Sequence, residues 1–169
     1  MSKKNKPINS IHEFFMNKAF IQAQKAYYYH EVPIGAVIVN PEGKIIARAY
    51  NQIEKKQTQT AHAELLALAK AGKKFGWRLE NCWIYVTLEP CSMCMHAIAL
   101  SRMAGIVYGA SSPVFGFSLD KNVNSGLDHW SMKIIKNIGK DQAAELLIKF
   151  FKEKRGTTHD RKSQFKKKR

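Results

Sequence analysis

Apolar residues recur along this chain with two different periods, and the switching between them lays out the expected elements. Near the amino terminus Ile11, Phe14, Phe15, Ala19, Ala23 and Ala26 return at helical spacing, and Ser10-Ile11-His12-Glu13 has the form of a capping box. A first helix is therefore predicted from there to about residue 29. After Pro33 the apolar run 34–39 meets the turn residues Asn40-Pro41-Glu42-Gly43, and 44–50 follows as a second strand, which together read as a β-hairpin. Thr60 is placed to cap a helix over 61–71, with Gly72 as its stop signal, and a third strand over 82–88 follows. Pro90 opens another helix to about residue 103, Gly105 ends it, and 106–108 forms a fourth short strand. Ser, Pro, Gly and Asn dominate 110–126, which predicts a surface loop with a short helical turn. A last helix from about residue 141 turns Ala143, Leu146, Leu147, Phe150 and Phe151 to one face and runs into a basic tail after Arg155. No repeat or linker interrupts this order, so one folded domain is expected over 1–155 with a basic tail over 156–169. Helices alternating with strands predict an α/β fold, a three-layer α/β/α sandwich with a mixed central sheet whose third and fourth strands run parallel.

Composition narrows the class. With 169 residues, 45% of them apolar and nine of them Phe, the chain can build a real core, which excludes a disordered or fibrous protein. Its apolar runs are too short to span a bilayer, and residues 1–11 lack the apolar stretch of a secretory signal, so no membrane partner and a cytoplasmic location are expected. The formal net charge of +15 gathers toward the ends of the chain. Lys3, Lys4 and Lys6 open it, and nine Lys and Arg residues from Lys152 onward face only Glu153 and Asp160. From charge alone, a polyanion-binding tail and a solvated tail are both open.

The chemistry is concentrated in two short motifs. Two of the three cysteines stand as Cys91-Ser92-Met93-Cys94 at the start of one helix, and His62-Ala63-Glu64 stands at the start of another. A Cys-x-x-Cys pair on a first helical turn puts both sulfurs on one side, where the helix amino terminus favours thiolates. With the His62 imidazole it offers Zn2+ three protein ligands and leaves the fourth tetrahedral position for water, the arrangement of a catalytic site. Glu64 is then the group to take the water proton and pass it to a leaving amine. On an ideal helix the side chains of His62 and Glu64 would diverge, and only their place in the first turn lets them share a pocket. A redox cysteine pair would leave Glu64 unexplained, and a structural zinc would need a fourth ligand from Cys82 or another histidine. Cys82 itself reads as a small buried hydrophobe within its strand.

These motifs resemble the cytidine-deaminase-like superfamily, whose zinc sites carry a His-x-Glu and Pro-Cys-x-x-Cys signature. The likeness extends to 31–37, Asn51, 60–64, 87–94 and 106–110, which are similar to the bacterial tRNA-specific adenosine deaminases. That resemblance implies a zinc-dependent homodimer converting the wobble adenosine of a tRNA anticodon to inosine. It implies Zn2+ on His62, Cys91 and Cys94, with Glu64 as proton shuttle. Asn51 would contact the flipped nucleoside, Val32 and Pro33 would wall the pocket, and the backbone around Leu88, Glu89 and Pro90 would meet the base. Phe150 and Phe151 look like that family's last helix, which lies against the anticodon stem-loop. An apolar helix face at Ile98, Ala99 and Met103 is the surface expected for the dimer. Two departures bear on RNA contacts and not on zinc: Ser111-Ser112-Pro113-Val114 replaces the family's Arg-Asp pair and following lysine, and Met95-His96 replaces a small residue and glycine. Two competing functions are a deaminase of a free base or nucleoside, of the guanine or cytosine type, and an RNA-binding module with structural zinc. The basic tail speaks against the first and Glu64 against the second.

Overall fold

A computed structural model of the chain describes residues 8–122 and 132–166, with side chains for 10–122 and 132–156. The predicted basic amino-terminal lysines, the end of the 110–126 loop and the side chains of the tail lie outside these residues. The elements run α1 (Ile8–Tyr28), β1 (Gly35–Val39), β2 (Ile45–Tyr50), α2 (Ile53–Lys56), α3 (Ala63–Phe75), β3 (Trp83–Leu88), α4 (Ser92–Leu100), β4 (Gly105–Ala110), a 3-10 turn (Phe117–Leu119), β5 (Lys133–Ile135) and α5 (Lys140–Lys166).

The five strands form one mixed sheet in the order β2-β1-β3-β4-β5. β1 pairs antiparallel with both β2 and β3, whereas β3, β4 and β5 run parallel. Period-two alternation assigns each strand residue to a face. Ala36, Ile38, Ile84, Val86, Ile106 and Tyr108 pack under α3 and α4, while Val37, Val39, Tyr85 and Val107 pack against α1 and α5. Three layers result, as the residue pattern predicts. Gly35 is required where α1 crosses β1, because a Cβ there would stand 2.1 Å from the Ala19 carbonyl oxygen.

Several boundaries differ from expectation, each for a local reason. The first helix has already begun at Ile8, so Ser10 sits within its first turns and does not cap it. Its buried stripe is His12, Phe15, Met16, Ala19, Phe20, Ala23 and Ala26, which leaves Ile11 and Phe14 exposed. His62, not Thr60, is the N-cap of α3, and Gly72 stays helical while Gly76 makes the exit at a φ of 80° with its N–H on the Gly72 carbonyl. Cys91, not Pro90, caps α4, which stops at Leu100; Gly105 opens β4 instead of ending the helix. Ile98, Ala99 and Met103 are buried within the chain, so they cannot form the expected dimer face. α2 and β5 were not foreseen: one is a single turn, and the other is a three-residue edge strand with Lys133 and Ile134 exposed, too short to show a period. No helix among the described residues is long and apolar enough to cross a membrane.

Candidate active site

Two helix amino termini meet at one end of the sheet. His62 ends an extended segment at φ −63° and ψ 149° just before α3, and Cys91 does the same before α4 at φ −74° and ψ 168°. This extended geometry removes the difficulty posed by helical spacing: His62 lies outside the helix, so its ring turns toward the pocket that Glu64, inside the first turn, also faces. The His62 Nδ1 lies 3.7 Å from Cys91 Sγ and 3.3 Å from Cys94 Sγ. Donors about 2.0 and 2.3 Å from a tetrahedral zinc stand about 3.6 Å from one another, so these separations already fit the ion. All three ligand atoms lie within 4.8 Å of one another, and among the described residues they form the group able to hold a metal.

The electrostatics agree with that use. Hydrogen bonding from Cys94, and then from His62, lowers the Cys91 thiol to about 4 despite its partial burial. Cys94 is held well above the ordinary thiol range by the neighbouring Cys91 sulfur and by burial. Two thiols this close resist double ionisation until a cation sits between them. The Glu64 carboxyl is buried, and desolvation raises its pKa above the ordinary carboxylate value, while a hydrogen bond links it to the Cys94 sulfur. A carboxyl poised toward its neutral form beside a metal-binding group is suited to exchanging protons.

A cavity of about 350 Å³ opens over this group, walled by Ile34, Leu88, Met93 and Phe115 with His62, Glu64 and Glu89 at its polar side. A second cavity of about 450 Å³ shares Ile34, His62, Leu88, Ser112 and Phe115 with it and extends past Val32, Asn51 and Phe151. Of the residues expected from sequence, Val32, Asn51, Leu88, Glu89 and Phe151 thus line these cavities. Pro33 and Pro90 are buried behind the walls and line neither, and Phe150 turns inward against Tyr27.

Two buried carboxylates shape the walls in a way the sequence did not reveal. Glu31 accepts hydrogen bonds from the backbone N–H groups of Glu54 at 3.1 Å and Lys55 at 2.8 Å, and from the Asn51 amide at 3.4 Å. It therefore fixes α2 and the cavity residue Asn51 together. Glu89 accepts the backbone N–H of Ser112 at 2.9 Å and of Ser118 at 3.1 Å, which folds the 110–120 segment across the cavity mouth. Gly116 passes so close that a Cβ would lie 2.5 Å from the Glu89 carboxyl carbon.

An α/β/α sandwich with His, Cys and Cys donors at two helix amino termini and a buried glutamate beside them defines a zinc-dependent hydrolytic deaminase. The model of the cytidine and deoxycytidylate deaminase zinc-binding region matches residues 9–110. The tRNA-specific adenosine deaminase of Bacillus subtilis is 41% identical over 146 residues, covering 85% of this chain and 90% of that protein. That of Aquifex aeolicus is 38% identical over 150 residues, covering 85% and 95%. Among solved structures, a tRNA:A34 deaminase studied for A-to-I editing at the wobble position aligns with a TM-score of 0.72 at 34% identity, over 79% of this chain and 99% of that one. A guanine deaminase from Nitrosomonas europaea aligns with a TM-score of 0.74 at 24% identity, which bears on the fold alone. The chain belongs to the family of tRNA-specific adenosine deaminases.

Proposed function

We infer that this protein hydrolyses the exocyclic amine of adenosine at the wobble position of a tRNA anticodon, giving inosine and ammonia. The observation that carries the reading is the convergence of the His62, Cys91 and Cys94 donors with the buried Glu64 carboxyl at one side of a cavity with apolar walls. When bound, zinc supplies Lewis acidity that makes water a nucleophile near neutral pH. His62, Cys91 and Cys94 hold the ion. Glu64 receives a proton as the nucleophile forms and delivers it to the departing amine, so that ammonia leaves and not an amide anion. Ile34 and Leu88 confine the base, and Asn51, held by Glu31, orients the nucleoside. Leu88 and Glu89 shape the base-facing wall with Pro90 packed behind them, Val32 lies on the other side with Pro33 packed behind it, and Phe151 stands at the outer rim.

The family resemblance also supports a homodimer, a cytoplasmic location, and a tail from about residue 156 that adds RNA affinity without chemistry. Met93 and Leu100, exposed on α4, replace the buried Ile98, Ala99 and Met103 as candidates for the dimer surface. Light scattering at micromolar concentration tests that surface, with a monomer refuting it. The function itself is tested by incubating zinc-loaded protein with total tRNA and with free adenosine, guanine and cytosine in parallel. Inosine at a wobble position in tRNA alone is the expected result. Turnover of a free base or nucleoside with none on tRNA would replace this reading by that of a small-molecule deaminase.

A further inference from the structure

On the side of the cavity rim formed by α2, the surface changes character from apolar to strongly cationic. Ile53 lines the second cavity, while two residues on, Lys55 and Lys56 point to solvent. The exposed Lys25 of α1, Lys70 of α3 and Arg48 of β2 come to the same surface: Lys70 Nζ donates to the Arg48 carbonyl at 2.8 Å, and Lys25 stands over the ring of Tyr50. The positive charges are close enough to act on one another, since Lys25 and Lys56, after burial, both lower the pKa of Lys70. Four lysines from three elements thus stand close together, with the exposed Arg48 adjoining them on β2, and their mutual repulsion is relieved where an anion is shared.

Two aromatic residues here tie the lysines of different elements together. Tyr29 and Tyr50 stack on each other with centroids 5.9 Å apart and planes at 15°, Lys55 stands over Tyr29, and Lys25 stands over Tyr50. Each ring is thus held by its neighbour and approached by a lysine, with Tyr29 half exposed. Such a surface reads charge and not sequence. The ligand chemistry that matches closely spaced, sequence-independent cations is a run of phosphodiesters. Glu31 binds the backbone of α2 and the amide of Asn51 with one carboxylate, so the cationic surface is tied rigidly to the nucleoside pocket.

We propose that Lys25, Arg48, Lys55, Lys56 and Lys70 form a docking surface for the phosphodiester backbone of the RNA stem that adjoins the reacting nucleoside. This rests on the RNA substrate inferred above, and it is separate from the carboxy-terminal tail. Cations spread over four elements gain affinity by releasing counterions from the duplex, about 0.9 per phosphate met. Losing three such contacts should reduce the logarithmic salt slope by about 2.7, which corresponds to about eightfold in affinity per contact at about 0.1 M salt.

The test compares the zinc-loaded full chain with Lys25→Gln/Lys55→Gln/Lys70→Gln and with the matching three Lys→Arg changes. Binding of total tRNA is followed by fluorescence anisotropy over a salt series, and deamination is followed on the same tRNA. The glutamine variant should bind at least a hundredfold more weakly with a slope reduced by two or more, raise the Michaelis constant, and hold kcat within about twofold; the arginine variant should restore binding. Equal affinity and slope in the glutamine variant, with thermal unfolding unchanged, overturns the surface even when tRNA deamination by the parent protein upholds the function. Should the parent chain deaminate no tRNA, the inferred function fails, and the binding series decides the surface alone. Lysine-dependent binding to phosphatidylcholine vesicles containing phosphatidylserine, with tRNA binding untouched, would also overturn it.

Discussion

Replacing Glu31 with glutamine should destabilise the protein by an amount that its hydrogen bonds allow to be reckoned. The carboxylate is 1% exposed and accepts three donors: the Lys55 N–H on one oxygen, and the Glu54 N–H with the Asn51 amide on the other. A glutamine amide has a single acceptor oxygen. Its better orientation directs that oxygen at Glu54 and Asn51 and sets its NH2 against the Lys55 N–H, so one charge-assisted bond becomes a donor facing a donor. Loss of such a bond costs about 1.5–3 kcal/mol, and the two that remain weaken from charged to neutral acceptors. The sum is about 2–4 kcal/mol, or roughly 4–16 °C in melting temperature for a chain of this size. Because Asn51 lines the cavity proposed above to take the nucleoside, the Michaelis constant for tRNA should also rise severalfold in the folded variant. Urea unfolding of the zinc-loaded protein measures the first effect, and initial rates at a temperature where both proteins are folded measure the second. A loss below about 0.5 kcal/mol would refute the reasoning, because the carboxylate would then not be what holds α2 in place.

Three further outcomes are expected. Cys91→Ser/Cys94→Ser should lose stoichiometric zinc in metal analysis, since only His62 of the three donors remains, and full occupancy would refute the ligand assignment. Glu64→Ala should keep its zinc and its fold while losing on the order of a hundredfold to ten-thousandfold in kcat, and turnover within about tenfold of the parent would remove Glu64 from proton transfer. His12 is buried with its Nδ1 3.0 Å from the Tyr85 hydroxyl, and burial lowers its pKa below the ordinary histidine value. The unfolded chain therefore binds more protons here than the native one, so stability is full above a pH of about 6.5 and falls as the pH drops below it. Melting temperatures at pH 8 and 5.5 should show a smaller acid loss for His12→Gln than for the parent, and equal losses would show that burial does not lower the His12 pKa.

Much of this architecture could be read from residue order because local signals and burial agree. The apolar run at 34–39 and the strand expected over 82–88 survive as strands whose two faces enter two different cores, and the Cys91-Ser92-Met93-Cys94 spacing places both sulfurs beside His62. What could not be read depends on groups far apart in the chain. A glutamate in a sequence signals a surface, so neither Glu31 nor Glu89 stood out as buried; each is satisfied by backbone N–H groups 23 to 29 residues away. The apolar face of α4 misled for a related reason. Ile98 and Ala99 are apolar whether they meet a partner or their own sheet, and only the packing of α4 against the sheet decides between the two.

The same long-range bonds explain how Ser111-Ser112-Pro113-Val114 can form the cavity wall with no charged side chain among them. Glu89 grips the backbone N–H groups of Ser112 and Ser118, and a backbone N–H is present whatever side chain the residue carries, proline excepted. Pro113 falls between the two gripped positions, where no donor to Glu89 is needed. Gly116 is the constrained position, because any side chain there would strike the Glu89 carboxyl. Phe117 is anchored in the core, whereas the side chains at 114 and 115 are apolar and outward: Val114 is 68% and Phe115 75% exposed, with Phe115 at the edge of both cavities. The fold thereby separates the backbone that must stay fixed over the zinc-binding group from the side chains at the mouth, which can change without moving it.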